Sequence, residues 1–530
     1  MKKDKFFGRG HYLEILHKRM SDLKDGYRQN IAILGDELVG KTSMISKLLD
    51  QFCDNRVVTL YVEVRPESLD IFVKRFIAAL LYNFLINSGI TLKEDLDFLI
   101  SKSEKYIPKT IIRAKQVLAS LNKRKKEGIF LELLALCESI HEETGKSCVV
   151  IFDEFHNLES LGVKGLYREW SKLLIAQKNT MYVIISSMTF KAKSILAKNL
   201  SLLFGNFEII TVEPFDIDTS EKYLKRRLGN LGLNPGLNNF IIQFTGGYPF
   251  YLEVIADSLL KRDLLKLSDI IENMLFDTPG LLNQRFSNYL KRFLDLSNSQ
   301  EYISILYLIA SGHNKIKDIT HLMHKTSKEL SPKISHLLEL DTLTRSGDFL
   351  KINDRVFSFW LKSVYREKMN SLTFDARNQQ KLFKENIENE INEFLVTVDK
   401  PIVERMTEIF RLFQDDLIQI ERKKIRLDHF REIKPLEFNN RCIKSGIIGR
   451  SSDSLWIMGF KHDPLTEEDI AEFAKECKKY RHKLQRKIIV TFRGVDTNAR
   501  LRALDEKILT WDLNSINQIF DLFSKPSLIV

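Results

Sequence analysis

Short apolar runs alternate with amphipathic segments through the first two hundred residues of the chain. Between the runs, apolar residues recur at the spacing of a helix with one buried face. Strands that alternate with helices in this way form parallel sheets with helices on both faces, so the pattern predicts an α/β fold. The predicted strands are 31–34, 57–64, 147–152, 181–187 and 207–212, and the clearest predicted helices are 11–23 and 69–85.

The pattern changes three times in the rest of the chain. A helical stretch from 218 to about 296 is interrupted by Thr-Gly-Gly-Tyr-Pro at 245–249. Residues 301–366 then show two helices, a third that opens at Ser331 and Pro332, and a short hairpin at 343–352, which is the order of a winged helix-turn-helix. Charged helices are predicted for 372–425, and strands alternate with helices again over 426–530.

Composition excludes several classes of protein. At 530 residues the chain is long enough for about three domains of ordinary size. It has no apolar run of about 18 residues to span a membrane, and we do not expect its first residues to be a secretory signal. The five cysteines fit no zinc spacing and suit reduced thiols, so we expect a cytoplasmic protein without a membrane partner. A net charge of +11 permits contact with a polyanion but fits a solvated, lysine-rich surface equally well.

Residues 35–42 form a phosphate-binding loop between the first predicted strand and a helix. Their sequence, Gly-Asp-Glu-Leu-Val-Gly-Lys-Thr, matches the pattern G-x-x-x-x-G-K-[ST]. Gly35 and Gly40 let the backbone wrap so that its N–H groups point inward, and the following helix adds its positive end. Lys41 can reach the β and γ phosphates, and Thr42 can ligate Mg²⁺.

Two carboxylates follow the third predicted strand. Asp153 and Glu154 end the apolar run 149–152, which is a Walker B pattern. Asp153 would hold the Mg²⁺ shell through water, and Glu154 would orient the water that attacks the γ-phosphate. Ser187 ends the next predicted strand and can reach the γ-phosphate or that water, with Thr189 as the alternative. Because ligands of parallel sheets bind at the carboxyl ends of the strands, these residues and the phosphate loop are expected to converge.

These motifs together resemble the archaeal-type ATPases, in the STAND branch of the AAA+-related P-loop proteins. The motifs are 7–9 (Phe-Gly-Arg), the phosphate loop, 151–154 (Ile-Phe-Asp-Glu), 185–188 (Ile-Ser-Ser-Met) and 246–249 (Gly-Gly-Tyr-Pro). The resemblance implies a nucleotide-dependent switch that binds ATP and Mg²⁺. It further implies that Gly8 and Arg9 lie near the base and that Gly247 and Pro249 of a helical lid sense the nucleotide, although 246–249 also fits a simple helix break.

The expected nucleotide-contacting residues are Gly8, Arg9, Gly35, Asp36, Glu37, Leu38, Val39, Gly40, Lys41, Thr42, Ser43, Gly247 and Pro249, with Thr42 and Asp153 at the metal and Glu154, Lys41 and Ser187 in catalysis. One departure from the family concerns Asn206, which stands where an arginine usually follows glycine near the end of the core. Asparagine cannot supply the cation that stabilises a transferring phosphoryl group, so hydrolysis is expected to be slow.

Some members of the family also carry a winged helix and a C-terminal domain similar to PD-(D/E)XK nucleases. The predicted domains are a P-loop ATPase core (1–216), a helical lid (217–297), a winged helix (298–371), a helical linker (372–425) and a nuclease-like α/β domain (426–530). Cleavage by such a domain needs carboxylates on two adjacent strands to hold a cation. Lys461 fits the lysine of the motif, but Gly459 stands at one acidic position and Ser445 and Gly446 at the other, so an inactive domain is predicted.

Basic residues in the predicted winged helix and in the predicted nuclease-like domain are candidate contacts for DNA. In the winged helix they are Lys315, Lys317, Lys325, Lys328, Lys333, His336 and Arg345, and in the last domain they are Lys478, Lys479, Arg481, Lys483, Arg486, Lys487 and Arg493. Packing against neighbouring domains, or simple solvation, would explain the same residues.

Three functions therefore stay open at the level of sequence. The favoured one is an ATP-binding switch of the STAND type with slow Mg²⁺-dependent hydrolysis, which self-associates if it follows similar switches. The second is a DNA-binding regulatory or defence module in which the nucleotide is structural. The third is an ATP-gated nuclease, which the missing carboxylates disfavour.

Overall fold

The chain divides into two compact units in the computed structural model, which describes residues 6–89, 95–121, 128–200, 207–231, 234–261, 266–294, 298–365, 376–420, 423–438, 442–480 and 484–529. Unit 1 contains the described residues up to Thr219 together with Tyr248–Phe250 and Glu339–Asp341, and unit 2 contains the others. The division of the sequence into five domains stays a prediction.

Five parallel strands form the sheet of unit 1. They are β1 (Asn30–Leu34), β2 (Val57–Glu63), β3 (Ser147–Asp153), β4 (Thr180–Ser186) and β5 (Phe207–Thr211), in the order β2-β3-β4-β1-β5. Every residue of β1, β3 and β4 is buried, because the inner strands of a parallel sheet are covered on both faces. The predicted α/β class with a parallel sheet is confirmed.

Helices of unit 1 pack aromatic rings against the end of β3. The helices that lie wholly in unit 1 are α1 (Gly10–Asp22), α2 (Lys41–Gln51), α3 (Leu69–Asn87), α4 (Leu96–Ser103), α5 (Pro108–Ser120), α6 (Ile129–Thr144), α7 (Leu166–Ala176) and α8 (Thr189–Lys198). The ring of Phe152 lies 5.7 Å from that of Trp170 in α7 and 6.3 Å from that of Phe72 in α3, and all three are fully buried. Since Asp153 follows Phe152 directly, this packing fixes the position of the first Walker B carboxylate.

The helices of unit 2 are grouped around two hairpins and a second sheet. Those that lie wholly or largely in this unit are α9 (Ile217–Leu228), α10 (Pro235–Thr245), α11 (Pro249–Lys261), α12 (Leu267–Leu275), α13 (Leu281–Leu294), α14 (Ser299–Ala310), α15 (Ile316–Leu322), α16 (Ser327–Glu339), α17 (Arg355–Trp360), α18 (Ala376–Val398), α19 (Ile402–Phe410), α20 (Glu467–Cys477), α21 (Thr497–Asp505) and α22 (Leu513–Leu522).

Three of these helices precede an antiparallel hairpin in the order that the sequence predicts. After α14, α15 and α16 come β6 (Leu343–Ser346) and β7 (Phe349–Ile352). The predicted start of the third helix at Ser331 is wrong, because α16 begins at Ser327 and contains Pro332. The backbone N–H and the hydroxyl of Thr326 both donate to the carboxylate of Glu329 in the first turn. These hydrogen bonds stabilise a helix that begins four residues before the predicted position. The designation of these elements as a winged helix stays a prediction.

The sequence predicts charged helices throughout residues 372–425, but part of this range forms strands. After α18 and α19, the strands β8 (Asp416–Ile420) and β9 (Lys423–Leu427) form an antiparallel hairpin. Along β8, the residues Asp416, Ile418 and Ile420 are buried and alternate with less buried ones, which is the period of a strand. The pattern spans only five residues beside charged residues that favour helices, and it was therefore hidden in the sequence.

A mixed five-stranded sheet forms the last part of unit 2. Its strands are β10 (Glu432–Glu437), β11 (Ser445–Arg450), β12 (Leu455–Lys461), β13 (Leu484–Thr491) and β14 (Ile508–Trp511), which lie side by side in chain order. The first three are antiparallel to one another, and β12, β13 and β14 are parallel, with α20 and α21 in their crossovers. The sequence reading missed β10, an edge strand that contains Pro435, a residue that weakens a strand signal.

The β8–β9 hairpin covers one end of the α14–α16 group. Lys315 donates to Asp416 Oδ2 at 2.7 Å, and the turn between β6 and β7 bonds to β8 through Asp348 N–H and the carbonyl oxygen of Leu417 at 2.9 Å. A Cβ on Gly347 would lie 2.1 Å from that carbonyl oxygen, so the turn can approach β8 only with glycine there. The contact between the turn and β8 is therefore a fixed part of unit 2.

We expect Lys315→Ala to destabilise unit 2 far more than Lys317→Ala. Both lysines pair with Asp416, but the side chain of Lys315 is 10% exposed and that of Lys317 is 58% exposed. Loss of Lys315 leaves the exposed Lys317, 3.4 Å away, as the remaining lysine partner of Asp416, which is 2% exposed, and breaking a buried pair costs about 3–5 kcal/mol. Loss of the exposed partner costs less than about 1 kcal/mol.

The measurement is urea unfolding of the full chain followed by tryptophan fluorescence, comparing the midpoint of the transition that includes unit 2. Equal midpoint shifts for the two variants would contradict the claim that burial sets the strength of this pair.

Candidate nucleotide-binding site

The phosphate loop connects β1 to α2 and depends on glycine at two positions. A Cβ on Gly35 would lie 2.2 Å from the carbonyl oxygen of Val212, so only glycine lets the chain leave β1 at this point. Gly40 has a φ of 92° and Leu38 a φ of 67°, both in the left-handed region. A non-glycine residue there stores backbone strain of the kind found at ligand sites. Such turns direct backbone N–H groups toward an anion.

Lys41 is the buried cation of the loop. It is 5% exposed, and its Nζ donates to the carbonyl oxygens of Gly35 and Asp36, each at 2.7 Å. Burial lowers the pKa of Lys41, and the carboxylates of Glu154 and Asp153 oppose that shift. An anion that entered the loop would compete with these two carbonyl oxygens for the ammonium group.

Thr42 and Asp153 meet as the sequence predicts, and a third residue joins them. Thr42 Oγ1 donates to Asp153 Oδ2 at 2.9 Å, and the hydroxyl of Tyr61 donates to the same oxygen at 2.7 Å. Burial raises the pKa of Tyr61, and the charge of Asp153 raises it further, so the phenol keeps its proton. The sequence reading missed Tyr61, because its role depends on β2 lying next to β3, which no motif reveals.

Glu154 turns away from the strand and meets Ser187. Its φ is 53°, and its Oε2 accepts from the backbone N–H and the hydroxyl of Ser187, each at 2.9 Å. Burial raises the pKa of Glu154, and the hydrogen bond from the Ser187 N–H opposes the shift. Thr189, the alternative to Ser187, is the first residue of α8. The structure thus brings Ser187 to the second Walker B carboxylate.

Arg9 lies against the phosphate loop. It is 7% exposed, and its guanidinium donates to the carbonyl oxygens of Val39, at 3.2 Å, and Glu213. The guanidinium also lies 4.8 Å from the ring centre of Phe215. Gly8, with φ of 69°, precedes it. Arg9 therefore contacts the phosphate loop, and its place near a nucleotide base stays a prediction.

The remaining predicted residues are divided between loop, helix and lid. Asp36, Glu37 and Leu38 are half-buried and Val39 is buried, whereas Thr42 and Ser43 are exposed at the start of α2. Pro249 is the first residue of α11, and Gly247, with φ of 76°, belongs to unit 2. The sequence reading missed Tyr248, whose hydroxyl donates to Asp36 Oδ2 at 2.8 Å within unit 1. The sensing role of Gly247 and Pro249 stays a prediction.

These residues fit a triphosphate with a hard divalent cation. Thr42 Oγ1 and Asp153 Oδ2 are hard oxygen ligands 2.9 Å apart, which is the ligand type that Mg²⁺ takes. A Cβ on Gly40 would meet no atom within 4 Å, so the loop leaves space at the N-terminus of α2, where helix N–H groups attract an anion.

Most of the basic residues predicted to contact DNA through the winged helix have protein partners. Lys325 and Lys333 pair with Glu301 at 2.9 and 3.0 Å. Arg345 donates to the carbonyl oxygen of Gly347 at 2.9 Å. His336 packs against Tyr302, Lys315 and Lys317 pair with Asp416, and Lys328 is exposed. Contact between this surface and DNA stays a prediction. Fewer of its cations are available for DNA than the sequence alone indicates.

The basic stretch of the last domain is also partly engaged. Lys479 pairs with Glu476 at 2.7 Å, and the guanidinium of Arg486 lies 4.4 Å from the ring centre of Trp456. Lys487 donates to the carbonyl oxygen of Glu506. Arg481 and Lys483 lie outside the described residues, as does Asn206.

The site expected for nuclease chemistry is filled by apolar side chains. A Cβ on Gly459 would lie 2.8 Å from Ile443 Cγ2 and 3.0 Å from the ring of Phe473. Lys461 donates to Asp469 Oδ1 at 2.9 Å, and Asp469, which is 2% exposed at its side chain, also caps α20. Within the described residues, no three His, Cys, Asp or Glu side chains are grouped so that they could hold a metal ion.

Comparisons with known proteins find solved structures with low sequence identity and low TM-scores to this chain. No protein-family model matches the chain, and no curated protein matches it. The Walker-type ATPase paby2304 of Pyrococcus abyssi is 20% identical, with a TM-score of 0.44, over 68% of this chain and 97% of that one. The ORC2 protein of Aeropyrum pernix, solved as ADPNP–ADP complexes, is 11% identical, with a TM-score of 0.40, over 72% and 95%.

A third solved structure, the ORC1 protein of Aeropyrum pernix in complex with DNA, is 13% identical, with a TM-score of 0.34, over 67% of this chain and 92% of that one. At these identities and TM-scores the similarities carry no conclusion about activity or partners. Across the described residues, no helix has both the length and the hydropathy to cross a membrane.

We expect Gly459→Asp to destabilise the last sheet without creating a nuclease. The new side chain would be forced against Ile443 and Phe473, and overpacking of this kind costs about 1–3 kcal/mol before the burial of a charge is counted. Thermal unfolding and a Mg²⁺-dependent plasmid cleavage assay measure the two effects. Asn498→Asp, at an exposed position of α21, is the matched control and should leave the midpoint unchanged. Metal-dependent cleavage by the Gly459 variant would contradict the filled-site account.

Proposed function

We propose that the protein is an ATP-binding P-loop ATPase of the STAND type, which acts as a nucleotide-dependent switch with slow Mg²⁺-dependent hydrolysis. The observation that supports this proposal is a convergence at the carboxyl ends of β1, β3 and β4. There the chain assembles a buried lysine in a phosphate loop, the Thr42–Asp153 oxygen pair, and the Glu154–Ser187 pair.

Each group has a role in this proposal. The loop N–H groups and Lys41 bind the phosphates, and Thr42 and Asp153 hold Mg²⁺, which would neutralise charge on the phosphate oxygens. Glu154 orients the attacking water and takes its proton, and Ser187 binds the γ-phosphate or that water. Tyr61 keeps Asp153 directed at the metal position through its 2.7 Å hydrogen bond.

Slow turnover is expected because the resting groups are already bonded to the protein. Lys41 must exchange two carbonyl oxygens for phosphate oxygens, and the hydroxyl of Ser187 must leave Glu154 Oε2 before it can bind the phosphate or the attacking water. No arginine near position 206 is available from the sequence to stabilise charge in the transition state. These three features favour a switch that holds its nucleotide over an enzyme with high throughput.

A switch also needs contacts that differ between the bound and the empty state. The hydrogen bond from Tyr248 to Asp36 is a candidate, because it joins the phosphate loop to the Gly-Gly-Tyr-Pro element within unit 1. A nucleotide that rearranges the loop would change this bond, and Tyr248 is continuous in the chain with Gly247 of unit 2. Through that connection we propose that the winged-helix and nuclease-like regions respond to nucleotide. Self-association stays a prediction.

We expect Glu154→Gln to abolish ATP turnover while ATP binding persists. The amide cannot take a proton from water, and loss of a general base costs about 10²–10⁴-fold in rate. Lys41→Ala should instead weaken ATP binding, because it removes the cation of the loop. The measurements are Mg²⁺-dependent phosphate release, with and without duplex DNA, and binding of a fluorescent ATP analogue.

Glu63→Gln is the matched control for this experiment. Glu63 lies beside Asp153 in the β2–β3 register, at the end of the neighbouring strand, but its carboxylate pairs with Arg65. This variant should retain the turnover of the natural chain. Absence of turnover in the natural chain under both conditions would rule out the hydrolytic part of the proposal.

A further inference from the structure

His156 is a buried imidazole beside the Glu154–Ser187 pair that the proposed reaction does not yet use. It is 5% exposed, and its Nδ1 lies 2.8 Å from Ser186 Oγ and 3.3 Å from Glu154 Oε2. The 3₁₀ segment Phe155–Leu161 that carries it is anchored on both sides, because Asn157 donates to Val64 O at 3.0 Å and Tyr167 donates to Phe155 O at 3.2 Å. The ring is therefore held in a fixed place.

The charges around the ring favour its neutral form. Burial, together with the ammonium groups of Lys191 and Lys41, lowers the pKa of His156 to about 4, and the carboxylate of Glu37 opposes this shift. A neutral imidazole has one N–H and one bare nitrogen, and the neighbours of Nδ1 determine which nitrogen carries the proton.

The hydrogen bonds of Ser186 assign that proton to Nδ1. Ser186 Oγ accepts from the backbone N–H of Met188 at 3.0 Å and lies 3.2 Å from the carbonyl oxygen of Met188, to which its one hydroxyl proton can be donated. The single Nδ1–H then donates to Ser186 Oγ at 2.8 Å, and Glu154 Oε2 lies near the same proton as a second, longer neighbour, with Nδ1 3.3 Å away. The opposite tautomer would point a lone pair at a carboxylate oxygen 3.3 Å away, which is unfavourable.

We propose that His156 is a positioning residue for Glu154, whose Nδ1–H keeps the Oε2 end of the carboxylate in place when the hydroxyl of Ser187 turns to the phosphate. The inference rests on the proposed ATPase function and extends it to a residue outside the motifs. In the resting site Ser187 supplies both short hydrogen bonds to Oε2. Once its hydroxyl bonds elsewhere, His156 is the nearby donor that restrains the carboxylate.

In this proposal the two oxygens of the Glu154 carboxylate have different roles. Oε2 stays on the protein, bound by Ser187 N–H and His156 Nδ1–H, and Oε1 is left to face the attacking water. A carboxylate without the second donor would rotate about its side-chain bonds, and misplacement of a catalytic group by about 1 Å costs on the order of 10²-fold in rate. His156 touches neither the water nor the phosphate in this account, and it acts only through Glu154.

The first test reads the tautomer without any turnover. In protein labelled with ¹⁵N-histidine, the two ring nitrogens of neutral His156 have well-separated shifts, and the signal is assigned by its loss in His156→Asn. Protonated Nδ1 and bare Nε2 are expected, both without ligand and with Mg²⁺ and a slowly hydrolysed ATP analogue. A bare Nδ1, or a charged ring at pH 7, would overturn the proposal whether or not the protein hydrolyses ATP.

The second test separates positioning from stability by two substitutions. Asparagine places an amide N–H where Nδ1–H stands, whereas leucine fills similar space without a donor. We expect His156→Leu to lower kcat about tenfold or more, with KM for MgATP changed less than about threefold, and His156→Asn to recover most of the loss. Circular dichroism and binding of the fluorescent ATP analogue check that both variants are folded.

The outcomes distinguish this inference from the function on which it rests. Loss of turnover in Glu154→Gln together with natural kcat in His156→Leu would overturn the role of His156 and leave the ATPase proposal standing. Equal losses of kcat in the asparagine and leucine variants would show that the ring matters for packing rather than as a donor. A natural chain without turnover would remove the ATPase proposal, and the tautomer measurement would still decide whether Nδ1–H faces Glu154.

Discussion

The end of β3 joins a fully buried strand to two charged groups, and the site depends on how neighbouring strands accommodate them. Six buried residues bring the strand into the middle of the sheet before Asp153, which is itself 3% exposed. A carboxylate at such a depth is stable only with donors around it. Thr42 from α2 and Tyr61 from β2 supply them for Asp153, and Ser187 from the end of β4 supplies them for Glu154. The hydrogen bonds that make burial tolerable are the same ones that fix the geometry of the site.

The parts of this arrangement that the sequence predicts are those carried by local pattern. The apolar runs before Gly35 and Asp153 predict strands, and the phosphate loop and Walker B acids are adjacent to them in the chain. Parallel strands align their carboxyl ends, so convergence follows once the sheet is assumed.

The parts that escape prediction depend on partners far away in sequence. Tyr61 meets Asp153 because β2 lies next to β3, and Tyr248 meets Asp36 across 212 residues. His156 looks like an ordinary core residue until Ser186 and Glu154 are seen beside it. In unit 2, the β8–β9 hairpin has a period-two pattern too short to compete with the helix-favouring charges around it. Strand order and hairpin pairing are tertiary facts, and no window of sequence contains them.

Unit 2 shows why net charge is a poor guide to a basic surface. Glu301 holds Lys325 and Lys333, Asp521 holds Lys351 and Arg355, and Asp416 holds Lys315 and Lys317. Three carboxylates thus engage six cations inside the unit. The net charge of the chain therefore overstates how many of its cations are ready to meet a polyanion.

The contact between the β6–β7 turn and β8 limits where the chain can be cut into fragments that fold. A fragment that ended at residue 371, where the sequence reads as a change from globular unit to linker, would contain the three helices and the turn but not the strand that completes them. In that fragment Lys315 would lose its carboxylate, and the backbone N–H of Asp348 would lose its acceptor on Leu417. The smallest piece that keeps these groups satisfied extends past β8, so the linker in the sequence is an internal part of a folded body.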